Sequence, residues 1–328
     1  KRVILFDTNK ETYFEVDLEK VLHRPRAVSG SHQNINLKPI LLLLLVASIF
    51  LNNLLILFFC LKNHTQIKCI YAPTKFGLLT CAFAKVFFKM PIIFHAHNVF
   101  DDRLISKIFL SLVNKLATTT ICVSKTVWSS MPKVKNKTVI YNWMRDHTTD
   151  SFVQDETLGE KNIMAVVANF LPYKGHNLFL DALSSVNTSL LSNVEIRFYG
   201  AGEEEEKLRS KAERLGLKVK FMGFVRSMEE EYAQINCIVI PSLKPESFSL
   251  VIGEAWTNSS IVVASDIGAH TELIDDNNTG YLFKSGDVSS LRDKISKYLQ
   301  GSEIEKRTII KKANEESFKY SSELFEEL

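Results

Sequence analysis

From Gln66 onward, short apolar segments that suit buried strands alternate with longer segments whose apolar residues recur at helical spacing. Residues 67–71 and 91–95 are of the first kind, and residues 76–89 and 104–116 are of the second. This alternation is typical of βαβ units that build a parallel sheet. It limits the chain to the α/β folds before any motif is considered.

The alternation runs twice along the chain, and a polar stretch at 142–161 separates the two runs. A chain of 328 residues, 46% of them hydrophobic, can bury two cores. We therefore predict two doubly wound, Rossmann-like domains, at 1–145 and 146–310. We expect the charged tail, 311–328, to be helical and to pack back toward the first domain. The strands predicted for the second domain are 162–168, 194–199, 219–221, 237–240, 261–265 and 281–283.

Composition narrows the function. The net charge of +3 comes without a dense block of lysine and arginine, which speaks against nucleic acid as a partner. Five scattered cysteines lack metal-ligand spacing and suit a reducing compartment. The charged start leads straight into a strand at 2–6 instead of an apolar signal segment. We expect a cytoplasmic protein, with the inner face of the cell membrane as a possible location.

The most hydrophobic segment, 40–61, allows three placements. It is long enough to span a bilayer, it could be a buried helix of the first domain, or it could be a helix that also dips into the membrane interface. Asn52 and Asn53 at its middle and the like-charged flanks Lys38 and Lys62 weigh against spanning. The other two placements are compatible with each other.

Polar residues and glycines gather where predicted strands end, and in open α/β sheets such ends form the ligand-binding crevice. His95 and His97 follow the strand at 92–94, and Lys174 and Gly175 follow the strand at 162–168. The other strand ends deliver the segments 200–202 and 266–270. His95 also suits a buried core position, and His270 suits either a turn or the acceptor side of the crevice.

The stretch 237–260 joins a buried strand, a loop with Glu246 and a helix with Glu254. A helix N-terminus at the carboxyl edge of a sheet presents free N–H groups and a positive dipole end, which suit phosphate. Ser247 and Ser249 are placed either to cap this helix, which the apolar run 248–256 predicts, or to contact a ligand.

Taken together, these motifs resemble the family 4 retaining glycosyltransferases of the GT-B fold. The resemblance covers about 66–328 and is strongest in the second domain. It rests on the order of the following segments: Lys174-Gly175, Gly200-Ala201-Gly202, Glu246 and Glu254 with seven residues between them, and Asp266-Ile267-Gly268 ahead of Glu272-Leu273-Ile274.

The resemblance implies a reaction and a set of roles. Lys174 would stabilise the diphosphate leaving group, Glu246 would face the donor sugar, and His97 would support an oxocarbenium-like transition state. No cofactor and no metal are expected, because a lysine and a helix dipole provide the positive charge. The residues implied in donor binding are Lys174, Asn169, Gly200, Gly202, Ser247, Phe248, Ser249, Leu250 and Glu254.

The implied partners are a nucleoside-diphosphate sugar and a saccharide acceptor. The apolar segment 40–61, together with Lys75, Lys85 and Lys89, suggests a membrane-proximal face on the acceptor domain. A lipid-linked acceptor, as in surface polysaccharide assembly, is the resulting hypothesis.

Three departures from the family pattern leave alternatives open. Asn169 stands where the family usually has an arginine, Gly30 is the single glycine of 7–31, where a glycine-rich loop is expected, and Ser247 and Ser249 replace glycines. A nucleotide-sugar epimerase of GT-B fold and a weakly active or non-catalytic partner protein remain as alternatives, with a pyridoxal-phosphate-dependent phosphorylase more remote. Trp143 and Arg145 stay unassigned.

Overall fold

The computed structural model describes residues 2–5, 39–63, 67–142, 144 and 162–320. The chain divides into two compact units, Lys1–Ile140 and Tyr141–Leu328. Trp143, Arg145, the segment 7–31, where no glycine-rich loop was recognised, and the end of the tail, 321–328, lie outside the described residues.

The N-terminal unit contains a parallel sheet whose five described strands lie in the order in which they occur along the chain. The strands are β1 (Arg2–Leu5), β2 (Ile67–Ala72), β3 (Ile92–Ala96), β4 (Thr119–Cys122) and β5 (Lys137–Val139). In the described part of this unit five helices accompany them: α1 (Pro39–Asn63), α2 (Lys75–Thr80), α3 (Ala82–Phe88), α4 (Leu104–Leu116) and α5 (Lys125–Ser129). The helix predicted over 76–89 is interrupted at Cys81, and α5 was not predicted.

The apolar segment 40–61 forms α1, which packs on α2 and α3. Asn53 anchors it, because the Asn53 amide donates to the carbonyl oxygens of Leu79 and Ile49, both at 2.9 Å. Its Oδ1 accepts from the N–H of Phe83 at 3.1 Å. A buried asparagine satisfied in this way fixes how α1 lies on its neighbours. Within the part of the chain that the structure describes, no helix has the length and apolar character needed to cross a membrane.

The C-terminal unit contains a parallel sheet whose six described strands lie in the order β11, β10, β9, β6, β7, β8. The strands are β6 (Asn162–Val167), β7 (Val194–Tyr199), β8 (Val219–Gly223), β9 (Cys237–Ile240), β10 (Ile261–Ser265) and β11 (Tyr281–Phe283). The chain proceeds outward from β6 to β8, returns to pair β9 with the other edge of β6, and then continues to β11. The order therefore reverses between β6 and β9, and such a switch point opens a crevice at the carboxyl ends of the strands.

Eight helices within the described residues of this unit cover the second sheet, and their apolar faces complete its core with residues such as Phe179, Leu208, Leu291 and Ile309. The helices are α6 (His176–Ser184), α7 (Thr188–Leu191), α8 (Glu205–Arg214), α9 (Glu229–Tyr232), α10 (Leu250–Thr257), α11 (His270–Leu273), α12 (Val288–Gln300) and α13 (Glu303–Ser317). Asp287 caps α12, since its Oδ1 accepts from the N–H of Ser290. α13 packs on α10 and β10 of its own unit.

The prediction of two parallel α/β domains is confirmed, and the reversal of strand order that defines a doubly wound sheet lies in the C-terminal unit. The structural division falls at Ile140, five residues before the predicted boundary. α10 begins at Leu250, inside the apolar run 248–256 in which a helix was predicted, so Phe248 precedes the helix. Phe248 instead packs its ring 6.3 Å from Tyr141 and 6.2 Å from Tyr320 in the core of the same unit.

Candidate functional site

Two predicted site residues meet at the switch point of the C-terminal sheet. Lys174 lies in the loop after β6, and Glu246 lies in the loop after β9. Lys174 Nζ is 2.6 Å from Glu246 Oε1. The buried hydroxyl of Ser242 donates to the same oxygen at 2.7 Å. Lys174, Ser242, Glu246 and Ser249 are among the residues that line a small pocket at this position.

Close backbone approach holds the two loops together. Gly175 has φ +76°, and a Cβ placed on it would lie 1.8 Å from the carbonyl oxygen of Pro241. The N–H of Leu243 donates to the carbonyl of Tyr173 at 2.8 Å. A side chain at 175 would force the loops apart, so the Lys174-Gly175 pair has a structural reason.

The Glu246 carboxylate is partly buried, and the groups around it are positively charged or donate hydrogen bonds. Burial alone would raise the pKa of its carboxyl, but His270 and the Lys174 ammonium outweigh burial and hold that pKa well below its usual range. His270 is fully buried, and its Nε2 lies 3.6 Å from Glu246 Oε2. Glu246 is therefore ionised at neutral pH and suits the role of hydrogen-bond acceptor.

The N-terminus of α10 opens toward the same pocket. Ser249 occupies the N-cap position, yet its side chain makes no capping hydrogen bond. Its buried hydroxyl has no hydrogen-bond partner within the described part of the chain. Of the two interpretations of Ser249, capping is wrong, and ligand contact is left as the prediction. Ser247 is half-buried and Leu250 is exposed.

Glu254 lies one turn into α10 and accepts a hydrogen bond from the hydroxyl of Tyr232 at 2.5 Å. Burial and the Glu254 carboxylate both raise the pKa of the Tyr232 phenol, so this hydroxyl stays protonated and donates. Tyr232 is the last residue of α9 and holds one carboxylate oxygen, which leaves Glu254 Oε1 to accept from a ligand. No functional role was predicted for Tyr232 from the sequence.

Gly200 and Gly202 follow β7 and pack against the loop that follows β6. A Cβ placed on Gly200 would lie 2.1 Å from the carbonyl oxygen of Ala168, and one on Gly202 would lie 2.4 Å from that of Phe170. The N–H of Phe170 donates to the carbonyl of Ala201 at 3.0 Å. These glycines thus permit close contact between two loops. This contact explains the need for glycine at both positions in a different way from the predicted approach of the backbone to a nucleotide. Asn169 is exposed beside them.

His95 and His97, the two histidines predicted near a strand end of the first domain, belong to the N-terminal unit. His97 is exposed just beyond β3, and its ring centroid is 4.1 Å from that of His95. The hydroxyl of Tyr71 hydrogen-bonds to His95 Nδ1. Burial, followed by the neighbouring His97, lowers the pKa of His95 to about 4, so its ring is neutral at physiological pH.

Lys174, Glu246 and Ser249 are thus brought to one pocket together with Ser242, and His270 lies against Glu246. No definite role was predicted for Ser242 or His270. Ser242 could have been found from its position two residues after β9, while His270 carried only its strand-end position. The described residues contain no cluster of three histidine, cysteine or acidic side chains that could hold a metal ion.

Comparisons with known proteins give a consistent result. The sequence profile described as "Glycosyl transferases group 1" matches residues 148–317. The phosphatidyl-myo-inositol mannosyltransferase of Mycobacterium leprae is 32% identical over 142 residues, which are 42% of this chain and 37% of that protein. A Campylobacter jejuni protein is 23% identical over 237 residues, 70% of this chain and 65% of its own length. It is named GalNAc-alpha-(1->4)-GalNAc-alpha-(1->3)-diNAcBac-PP-undecaprenol alpha-1,4-N-acetyl-D-galactosaminyltransferase. The chain therefore spans less than two thirds of either relative.

Solved structures share the fold. HepE from Anabaena, in complex with UDP and glucose, superposes with a TM-score of 0.68 at 22% identity, covering 83% of this chain and 81% of that one. A glycosyltransferase from Rickettsia africae superposes with a TM-score of 0.71 at 18% identity, covering 89% and 80%. At these identities the similarity establishes the GT-B fold alone.

Proposed function

Because the chain belongs to the group 1 glycosyltransferases, we propose that it is a retaining transferase of family 4, whose E-x7-E pair is Glu246 and Glu254. It moves a sugar from a nucleoside-diphosphate sugar to a saccharide acceptor. The bond from the anomeric carbon to the diphosphate breaks, a bond from that carbon to the acceptor hydroxyl oxygen forms, and the departing phosphate takes the hydroxyl proton.

The observation that carries this proposal is the meeting of Lys174, Glu246 and the N-terminus of α10 at one switch point. An ammonium group has three N–H donors, so Lys174 can keep Glu246 and still bind phosphate oxygens. The free N–H groups of α10, with the unpartnered Ser249 hydroxyl beside them, suit the same anion. Lys174 and the N-terminus of α10 supply the positive charge that other transferases obtain from a metal ion. We therefore propose that sugar transfer by this chain needs no metal ion.

The remaining roles are assigned in the same way. Glu254 accepts from the ribose hydroxyls, Glu246 faces the donor sugar, and His97 supports the developing charge at the anomeric carbon. Asn169 binds the diphosphate by hydrogen bonds without adding charge. Gly200 and Gly202, with the N–H groups near Phe248 and Leu250 and the Ser247 hydroxyl, complete the donor site.

A thermal-shift panel tests this assignment. A ligand bound by the native state alone raises the unfolding temperature by mass action. We expect one nucleoside diphosphate, and its sugar, to raise it, and the addition of EDTA to leave both this shift and transfer unchanged. If no nucleoside diphosphate shifts the transition, the chain is a non-catalytic relative. If the donor alone is converted into an epimer, the epimerase alternative is correct.

We propose a lipid-linked acceptor, in surface polysaccharide assembly, on the basis of one surface of the N-terminal unit. The buried residues Asn53, Ile56 and Cys60 form one stripe of α1, and large apolar residues are exposed on the rest of it. The exposed residues on α1 and α3 include Phe50, Leu51, Phe58, Leu61, Val86 and Phe87. We call these six residues the apolar surface.

Charge indicates what this surface contacts. Residues 39–100 contain five lysines and no acidic residue, and Lys62, Lys85 and Lys89 are close in sequence to the apolar surface. Apolar side chains bordered by lysines suit the headgroup region of an anionic bilayer, where each basic residue contributes roughly 1 kcal/mol. We propose that this unit rests on such a membrane.

Vesicle flotation tests the membrane contact. We expect the protein to float with vesicles that contain phosphatidylglycerol, and to float less with neutral vesicles or at high salt. Phe58→Asp should reduce flotation strongly, because Phe58 is 71% exposed on α1. Ile304→Asp, at a 79% exposed position of α13, is the matched control and should float like the wild type. Equal flotation of both variants would contradict the proposal.

A further inference from the structure

His270 is a buried polar residue to which the donor-binding scheme gives no role. It is the first residue of α11, and none of its surface is exposed. Its Nδ1 lies 3.0 Å from the carbonyl oxygen of Ser265 and 3.3 Å from the Ser265 hydroxyl oxygen. The hydroxyl can donate or accept, but the carbonyl oxygen at the shorter distance can only accept, so we assign a proton to Nδ1.

The other ring nitrogen faces the acid of the candidate site. His270 Nε2 is 3.6 Å from Glu246 Oε2, a distance suited to an ion pair and too long for a good hydrogen bond. If Nε2 had no proton, its lone pair would face a carboxylate in a poorly solvated site. With a proton, the ring is an imidazolium opposite an anion, which Coulomb attraction favours.

The contacts of Glu246 divide between its two oxygens. Oε1 accepts from Lys174 Nζ at 2.6 Å and from the Ser242 hydroxyl at 2.7 Å. Oε2 faces His270. The cluster therefore pairs one carboxylate with two cations on opposite sides.

Backbone contacts fix this arrangement. The N–H of Ala269 donates to the carbonyl of Glu246 at 3.1 Å. Gly268 has φ +60°, and a Cβ on it would lie 2.6 Å from the Glu246 nitrogen. Because the turn before His270 is bound to the main chain of Glu246, the distance from the ring to the carboxylate follows from the fold.

We propose that His270 is a positioning residue that holds the Glu246 carboxylate as an imidazolium, so that the positive charge of Lys174 remains available to the donor diphosphate while Lys174 keeps its contact with Glu246. This inference rests on the proposed function. With both cations the cluster has a net charge of +1, and without the imidazolium it is neutral. In the neutral cluster Glu246 retains Lys174 more firmly and repels the incoming diphosphate.

Calorimetric titration with the nucleoside diphosphate chosen by the thermal-shift panel tests this proposal. His270→Asn keeps an amide N–H near the Nδ1 position for Ser265 and removes the group that faces Glu246. We expect its dissociation constant to rise about tenfold, the effect of losing one nearby charge. His270→Gln places an N–H near the Nε2 position without the charge, and should fall between His270→Asn and the wild type.

The same His270→Asn change in a Glu246→Gln variant distinguishes an effect of His270 on the Glu246 carboxylate from a general effect on the structure. In Glu246→Gln the carboxylate is gone, and a buried histidine without an anionic partner is neutral. Adding His270→Asn there should change the dissociation constant less than twofold, and unfolding temperatures measured in parallel verify that each variant is folded. A tenfold loss in both backgrounds, or unchanged binding in the single variant, would overturn the role of His270. Absence of binding to the wild type would overturn the proposed function itself.

Discussion

The two units of this chain carry their charge in different ways. Residues 39–140 contain twelve lysines and arginines and two aspartates, whereas residues 162–320 contain 19 basic and 22 acidic residues. In the C-terminal unit basic side chains pair with acids, as Lys211 does with Asp181 and Lys294 with Asp276, both at 2.7 Å. The N-terminal unit has too few acids to neutralise its basic residues, and it exposes the apolar surface of α1 and α3 besides.

The difference indicates a division of labour. A net positive charge acts at long range on an extended anionic surface and is screened by salt. The Lys174–Glu246 pair is instead local, partly buried and arranged around one pocket, which suits a single bound anion. We therefore expect substitutions in one unit to alter donor chemistry and substitutions in the other to alter membrane contact, with little exchange between them.

The largest effect should follow from Lys174→Met. This change removes the side-chain cation proposed to stabilise the leaving diphosphate, so we expect sugar transfer to fall by roughly 100-fold or more. Lys244→Met is the matched control, since Lys244 is an exposed lysine of the neighbouring loop and its loss should change transfer less than threefold. Lys174→Met should still float with anionic vesicles. If it lost flotation as well, the division between the units would be wrong.

The turn beside Glu246 should be the next most sensitive feature. Gly268→Ala introduces a Cβ against the main chain of Glu246 at a positive φ, and we expect it to lower the free energy of unfolding by about 3 kcal/mol. Gly216 also has a positive φ, but a Cβ there meets nothing within 4 Å. Gly216→Ala should cost about 1 kcal/mol. Chemical denaturation of both variants measures the difference, and equal losses would contradict the crowding argument.

A smaller effect is expected from Tyr232→Phe. Without the phenol hydroxyl, Glu254 loses the donor that orients its carboxylate, at a cost of about 1 kcal/mol, the usual contribution of such a hydrogen bond. Affinity for a nucleoside diphosphate should fall about fivefold, while affinity for inorganic pyrophosphate, which has no ribose, should stay constant. A parallel fall for both ligands would mean that Tyr232 acts on the whole site instead of on Glu254.

The smallest effect concerns acid stability. The pKa of Glu246 is lower in the folded state than its ordinary value of 4.5, so the unfolded chain binds the proton more readily. The stabilisation that follows is complete above pH 4.5 and declines as the pH falls toward the folded pKa. The difference in unfolding free energy between the wild type and Glu246→Gln should therefore shrink below pH 4.5. A difference that is constant from pH 6 to pH 3 would contradict this sign.

Much of the fold could be predicted because its signal is local. The strands 194–199, 237–240, 261–265 and 281–283 have the predicted bounds. The last three are short, mostly apolar runs, which suit buried parallel strands, and 194–199 alternates apolar with charged residues at its start. The interruption at Cys81 was not predictable in the same way, because the apolar spacing continues through it. The short helices α5 and α7 have too few residues for a period to be recognised.

The residues of the candidate site could be predicted from the sequence more readily than the contacts between them. Strand ends identified Lys174 and Glu246, but their ion pair joins residues 72 positions apart and depends on which strands adjoin the switch point. The contacts of Tyr232 with Glu254 and of His270 with Glu246 are likewise tertiary. The structural reason for a glycine at position 200 was not predicted, because its close neighbour is the carbonyl oxygen of Ala168 in another loop. No sequence pattern indicates such a contact between loops.

Calorimetric titration of the nucleoside diphosphate chosen by the thermal-shift panel into the wild type, Lys174→Met and Lys244→Met tests the central claim most directly, namely that the switch point of the C-terminal unit is a nucleoside-diphosphate site. We predict saturable binding to the wild type and to Lys244→Met. Affinity should fall at least tenfold in Lys174→Met, since one phosphate-binding cation is lost. Equal affinity of the wild type and Lys174→Met for this ligand would contradict the claim.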